Sequence, residues 1–173
     1  MESLIKNLEK KALNSDEILK YLEGKPKLVT YPELAKMKHI DEALGRNGMC
    51  VLLYLTKHNF GHWCCFYKND PNTITFFDSY GKVIDSQLKH IPEHFRRESN
   101  QKKSHLCRLL YESGYDVHYN DHPLQRLQKG INTCGRHVIC RLMLKSLGCD
   151  EYANLFKGKD ADAIVSLLTE DIK

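Results

Sequence analysis

The tetrapeptide Asn69-Asp70-Pro71-Asn72, set between two runs of β-favouring residues, constrains this chain's fold more than any other segment. Pro presets one backbone dihedral and Asn or Asp bonds its own backbone, so the segment turns the chain for a mechanistic reason. The flanking runs, residues 62–68 and 73–80, are then expected to pair as an antiparallel hairpin. With the turn centred at Asp70 and Pro71, paired positions sum to about 140 to 142, which sets His62 opposite residue 78, 79 or 80. A three-residue loop, Asn69-Asp70-Pro71, makes the partner Asp78. Directly opposed side chains share a face within bonding reach. A carboxylate there would hold the imidazole in one tautomer and stabilise its protonated form.

Around the hairpin the pattern is mixed. Residues 1–45 read as short helices: Ile5, Leu8 and Leu13 space one stripe, Ser15 is placed to cap a second helix, and Pro32 opens a third that ends near Gly45. Residues 51–56 form a continuous β-favouring run. Residues 84–90 suit a short helix, 92–97 read as irregular, and Ser104 is placed to cap a helix ending at Gly114. Residues 115–120 follow as a strand. Residues 134–147 are apolar on most sides, as in a helix buried mid-domain, and Asp150 and Asp160 are placed to cap two last helices. The fold class is α+β, with a central, mostly antiparallel sheet packed on that buried helix.

Size and composition bound the function. A chain of 173 residues fits a single domain with a real core, comprising a helical N-terminal layer (1–45), a catalytic core (49–145) and C-terminal helices (150–173). No apolar run approaches the roughly 18 to 20 residues of a membrane span, and the N-terminus has the pattern of neither a secretory signal nor a transit peptide. Seven cysteines without a CxxC pair imply reduced thiols in an intracellular, reducing compartment. The net charge of +4 is mild, and the basic segment 96–103 is interrupted by Glu98, as in a solvated loop.

Cys134 sits where a nucleophile would be made. Asn132 and Thr133 are placed to cap the helix it begins, and the free N–H groups and partial positive charge of a helix N-terminus favour thiolate. Gly135 leaves room for a substrate backbone. Paired with protonated His62, the thiolate would attack a carbonyl and form an acyl-enzyme. An oxyanion donor is needed too, and both Gln125 and Gln128 stand upstream where a side-chain amide could join the Cys134 N–H.

Taken in order, Gly61-His62-Trp63, then Phe77-Asp78-Ser79-Tyr80-Gly81, a glutamine, and Asn132-Thr133-Cys134-Gly135-Arg136-His137 resemble the adenain and SUMO-protease superfamily of cysteine peptidases. The compact size and the Phe-Asp-Ser-Tyr-Gly and Cys-Gly-Arg-His blocks make it most like the maturation proteases of virophages and large DNA viruses. The resemblance spans residues 49–145. It implies a papain-like, adenain-type fold with His62 as general base, Asp78 as orienting acid and Cys134 as nucleophile. Trp63 would be the indole that covers a substrate's narrow glycines, restricting cleavage to sites after small residues. Gln128 fits the oxyanion role by its distance from the cysteine, and Gln125 by its place after Pro-x at a strand end.

The expected function is a cysteine endopeptidase that processes viral capsid or core precursors during particle maturation, packaged in the virion and acting as a monomer. An isopeptidase removing a ubiquitin-like modifier and an acetyltransferase share the same chemistry. No cofactor is expected. Cys134, His137 and Cys140 are spaced three apart on one helix but lack the fourth ligand of a metal site. Stimulation by nucleic acid through the basic segment is the alternative that segment leaves open.

Overall fold

The computed structural model describes residues 1–172. Five strands form one sheet in the order β1 (Lys27–Thr30), β2 (Met49–Lys57), β3 (Phe60–Asp70), β4 (Thr73–Phe77) and β5 (Asp116–Tyr119). The β2–β3 and β3–β4 pairs are antiparallel, and the edge strands β1 and β5 run parallel to their neighbours. Helices α1 (Glu2–Lys10), α2 (Ser15–Tyr21) and α3 (Asp41–Leu44) precede β2. Then come α4 (Glu93–Glu98) and α5 (His105–Glu112) between β4 and β5, and α6 (Cys134–Met143), α7 (Cys149–Asn154) and α8 (Ala161–Leu168) after β5. Two short 3-10 helices, Tyr31–Lys36 and Ser86–His90, complete the set. The class is α+β, as the residue pattern implies. No described helix is long and apolar enough to cross a membrane.

Both faces of the sheet are covered. Val51, Leu53, Trp63, Cys65 and Tyr67 pack with Val138, Ile139 and Leu142 of α6, with Ile18 of α2 and with Val165 of α8. On the reverse face Leu52, Tyr54, Cys64, Phe66 and Phe76 pack with Leu106, Leu109 and Leu110 of α5 and with Tyr31 and Leu34. Residues 49–54 of β2 are buried on both faces, so this part of the strand reads as an unbroken apolar run. Each fully buried Leu, Val or Phe here removes apolar surface worth about 1.5–3 kcal/mol from water. Cys64 and Cys65, consecutive on β3, fall on opposite faces.

Several local expectations change. Residues 1–45 are not wholly helical, because Leu28-Val29-Thr30 pairs with Val51-Leu52-Leu53 as β1. Its four residues lie between Pro26 and Pro32 and are too short to carry a period of their own. Asn14, not Ser15, caps α2, through a reciprocal capping box with Glu17. Residues 93–98 are helical, Gly148 rather than Asp150 caps α7, and Asp160 caps α8 by accepting from the Ala163 N–H. The hairpin forms with the register Cys65↔Phe77 and Phe66↔Phe76, a sum of 142, and an irregularity between Lys68 and Asp70. Extended outward, that register puts position 80, not 78, opposite His62.

Candidate active site

His62 and Asp78 meet although they are not directly opposed. Pairing of β3 with β4 stops at Phe77, and Asp78 turns back from the strand end so that its Oδ1 lies 2.9 Å from His62 Nε2. This is the diagonal contact that a two-residue offset permits. Oδ1 also accepts the Tyr80 N–H at 2.9 Å, and Oδ2 accepts from Gln87 Nε2 at 2.9 Å. Burial raises the Asp78 carboxyl, but the bonds from His62, Gln87 and Tyr80 outweigh it and hold the group below its ordinary value. With Nε2 engaged, Nδ1 is the imidazole nitrogen left for the thiol.

Cys134 is the first residue of α6 and lines the same cleft as His62. Burial pushes the thiol up, but His62 and the backbone N–H groups of Trp63 and Gly135 bring it below its usual value. For His62, burial favours the neutral ring. Nearby thiols and the Asp78 carboxylate reverse that and hold its proton well above the ordinary range. Burial pushes the Cys64 thiol, two residues along the strand, up to about 12, so it is neutral near pH 7. The carboxylate that retains the proton on His62 is therefore Asp78. Both His62 and Cys134 are 8% exposed, at the floor of a cleft of about 1080 Å³.

Gln125 is the glutamine brought to the cleft. It is buried and lines the same cavity as Cys134, whereas Gln128 is exposed and does not. Ser79 holds it: the Ser79 carbonyl accepts the N–H groups of Leu124 and Gln125, and Ser79 Oγ donates to Gln125 Oε1 at 2.7 Å. The amide nitrogen is thereby turned to the donor side, reaching the Tyr80 hydroxyl at 3.3 Å. Tyr80 also stacks on His62, with centroids 4.7 Å apart. Gly81 closes the block at φ +67°, where a side chain would strike the His122 carbonyl carbon at 2.6 Å.

Trp63 lies on the other face from His62, buried beneath the N-terminal layer, with Nε1 donating to the Leu13 carbonyl at 2.9 Å. It forms part of the cleft wall. Gly135 is enclosed differently from the sequence expectation. A Cβ there would meet Leu13, Ile18 and Trp63 at 3.2–3.3 Å, so the space it leaves is filled by the chain's own N-terminal layer. Thr133 precedes α6 but does not cap it with its side chain, and Asn132 donates to the Glu9 and Lys10 carbonyls.

The rest of the Cys-Gly-Arg-His block is structural. Arg136, fully buried, donates to the carbonyl and hydroxyl of Thr169 at the end of α8. His137 bonds Asp162 at 2.9 Å. Sequence reasoning missed Ser79, Tyr80, Gln87 and Asp162. The first two sit beside Asp78 in the quoted block, but nothing in the order of residues marks Gln87 or Asp162. Among the described residues two groups have donor atoms close enough to hold a metal, His62-Cys64-Asp78 and Asp121-His122-Asp150. The first shares its imidazole and carboxylate with the pair described above. The second includes His122, whose Nε2 lies 2.7 Å from Asp150 Oδ1.

No protein-family model matches the chain. It is 44% identical over 148 residues to a protein of the Sputnik virophage called Uncharacterized protein V9, a match covering 86% of this chain and 85% of that one.

Proposed function

The chain belongs to the family of that virophage protein, and from the geometry of the cleft we propose that it is a cysteine endopeptidase that cleaves virion precursor proteins after small residues. One observation carries the reading: a helix-terminal thiol of lowered pKa shares the cleft floor with an imidazole that a buried carboxylate holds at 2.9 Å. His62 of β3 and Cys134 of α6 meet at the floor of one cleft with the Gln125 amide, and Asp78 lies buried behind the imidazole. That is the set acyl transfer needs.

In this mechanism the Cys134 thiolate adds to the scissile carbonyl carbon, forming a C–S bond. The oxygen takes the negative charge between the Cys134 N–H and the Gln125 amide. His62 gives its proton to the departing amine nitrogen as the C–N bond breaks, leaving a thioester. Neutral His62 then takes a proton from water, the hydroxide adds to the thioester, and the carboxylic acid and thiolate are released. Asp78 keeps the imidazole oriented throughout. Preference for small residues is supported by the burial of Cys134 and by the place of Trp63 in the cleft wall.

The test is incubation of the purified protein with virophage capsid and core precursors, followed by mass spectrometry of the fragments, with Cys134→Ala as control. Fragments ending in Gly, Ala or Ser that disappear in the variant are expected. Processing of a Gly-Gly-ended modifier fusion alone would make it an isopeptidase. Acetylation of a lysine peptide from acetyl-coenzyme A, without hydrolysis, would make it a transferase.

A further inference from the structure

Away from the cleft, a second buried acid joins the two halves of the oxyanion site. Asp162, in α8, is fully buried and does not line the cleft. Its Oδ1 accepts from Thr133 Oγ1 at 2.5 Å and from His137 Nε2 at 2.9 Å. Its Oδ2 accepts from the Arg126 backbone N–H at 2.9 Å and from Arg126 Nε at 3.0 Å. Thr133 is the residue before the nucleophile, and Arg126 is the residue after Gln125. One carboxylate therefore grips the backbone neighbours of both oxyanion donors.

We infer that Asp162 is a positioning residue that sets the spacing between the Cys134 N–H and the Gln125 amide. The Gln125 peptide is pinned from its N-terminal side by the Ser79 carbonyl and from its C-terminal side by Asp162. Without the second hold the loop 126–132 keeps Arg126 on Glu9 at 2.6 Å and on Asp160 at 3.4 Å, and Asn132 on α1. A donor must stand 2.7–3.1 Å from the developing oxyanion to act on it, so a small shift at Gln125 is enough to lose its effect. Four accepted bonds also explain why a carboxylate is required. An amide at 162 offers only one acceptor oxygen, and its nitrogen would face either the Arg126 donors or the Thr133 and His137 donors.

The inference rests on the acyl-transfer reading and is tested with Asp162→Asn, Thr133→Val and Gln125→Ala, alone and paired. Asp162→Asn should lower kcat roughly 10- to 100-fold, within the range for loss of an oxyanion donor, with KM little changed. Thr133→Val, which removes one bond and keeps shape, should lower it less. The rate of Cys134 alkylation by iodoacetamide should hold, since that displacement develops no oxyanion. In a Gln125→Ala background Asp162→Asn should cost almost nothing more, because both act on one donor. Additive losses, or an alkylation rate that falls with kcat, would overturn the inference and mark Asp162 as general scaffolding. If Asp162→Asn does not fold, the Thr133→Val and Gln125→Ala cycle decides by the same criterion. A wild-type protein that turns over no acyl substrate would remove the acyl-transfer reading and this inference with it, whereas an active wild type with additive variants removes only the inference.

Discussion

Tyr80 lies nearly flat against His62, its ring plane tilted by 15° and its centroid 4.7 Å away, while its hydroxyl accepts from the Gln125 amide. One side chain thus touches both the candidate base and the candidate oxyanion donor. Tyr80→Phe keeps the stack and loses the hydroxyl, and its effect on kcat should be small, about 10-fold or less, since a neutral hydrogen bond contributes roughly 1 kcal/mol. Tyr80→Ala should cost more and should also shift the alkaline limb of the pH–rate profile, because the imidazole loses its packing. Steady-state kinetics of the two variants across pH separates these effects.

Gln125→Ala should reduce kcat roughly 10²- to 10³-fold, as loss of an oxyanion donor does. Gln128→Ala should be within a few-fold of wild type, since Gln128 is exposed and outside the cleft. Equal losses in the two, measured on one peptide substrate, would contradict the placement.

The pH dependence follows from the two shifts. The thiol is depressed and the imidazolium is raised, so activity should rise as Cys134 ionises below its ordinary range and fall only as His62 loses its proton above its own. Asp78→Asn removes the carboxylate that helps retain that proton. The alkaline limb should then move to lower pH and kcat should fall by as much as ~10⁴, the loss seen when a triad's orienting acid is neutralised. Iodoacetamide alkylation of Cys134 across pH reads the thiolate window directly.

Stability carries a separate acid signature. Asp162 is held at about 2 by bonds from His137, Thr133 and Arg126 that outweigh burial, against an ordinary value of 3.8. A depressed folded-state value contributes stability that is fully present above the unfolded value, on the order of 2 kcal/mol, and is lost as pH falls toward 2. Urea unfolding of wild type and Asp162→Asn should therefore differ most at neutral pH and converge between about pH 4 and pH 2.

Gly61 has no room for a side chain: a Cβ would lie 1.7 Å from the Tyr54 carbonyl oxygen, where β2 and β3 meet irregularly beside His62. Gly61→Ala should destabilise by more than about 3 kcal/mol or prevent the strands from pairing at the cleft. Gly148→Ala, with no neighbour within 4 Å, should change stability by about 0.5 kcal/mol or less. Thermal unfolding of the two variants makes the comparison.

The hairpin was legible because Asn69 to Asn72 turns the chain by local chemistry, and α6 because apolar residues occupy most of its sides. β1 was not legible, since four residues between prolines become a strand only when Val51, Leu52 and Leu53 arrive to pair with them. Counting along the hairpin brought His62 near Asp78 but placed them in the wrong relation. Where β4 ends, and that Asp78 turns back diagonally, depends on Tyr80, Gln87 and Asn120 holding it.

What the sequence determined by itself is local in origin: the turn, the alternation of faces on β3, the class of fold, and a thiol at a helix start. What only the tertiary structure decided is which distant groups meet. Gln125 and Gln128 are chemically identical and three residues apart, and a hydroxyl from the end of another strand turns one of them toward the cleft while the other faces water. Asp162 carries no mark in the sequence, because its role comes from four donors contributed by two remote segments. Such bonds are specified by packing across the whole core, and no short window of residues contains them.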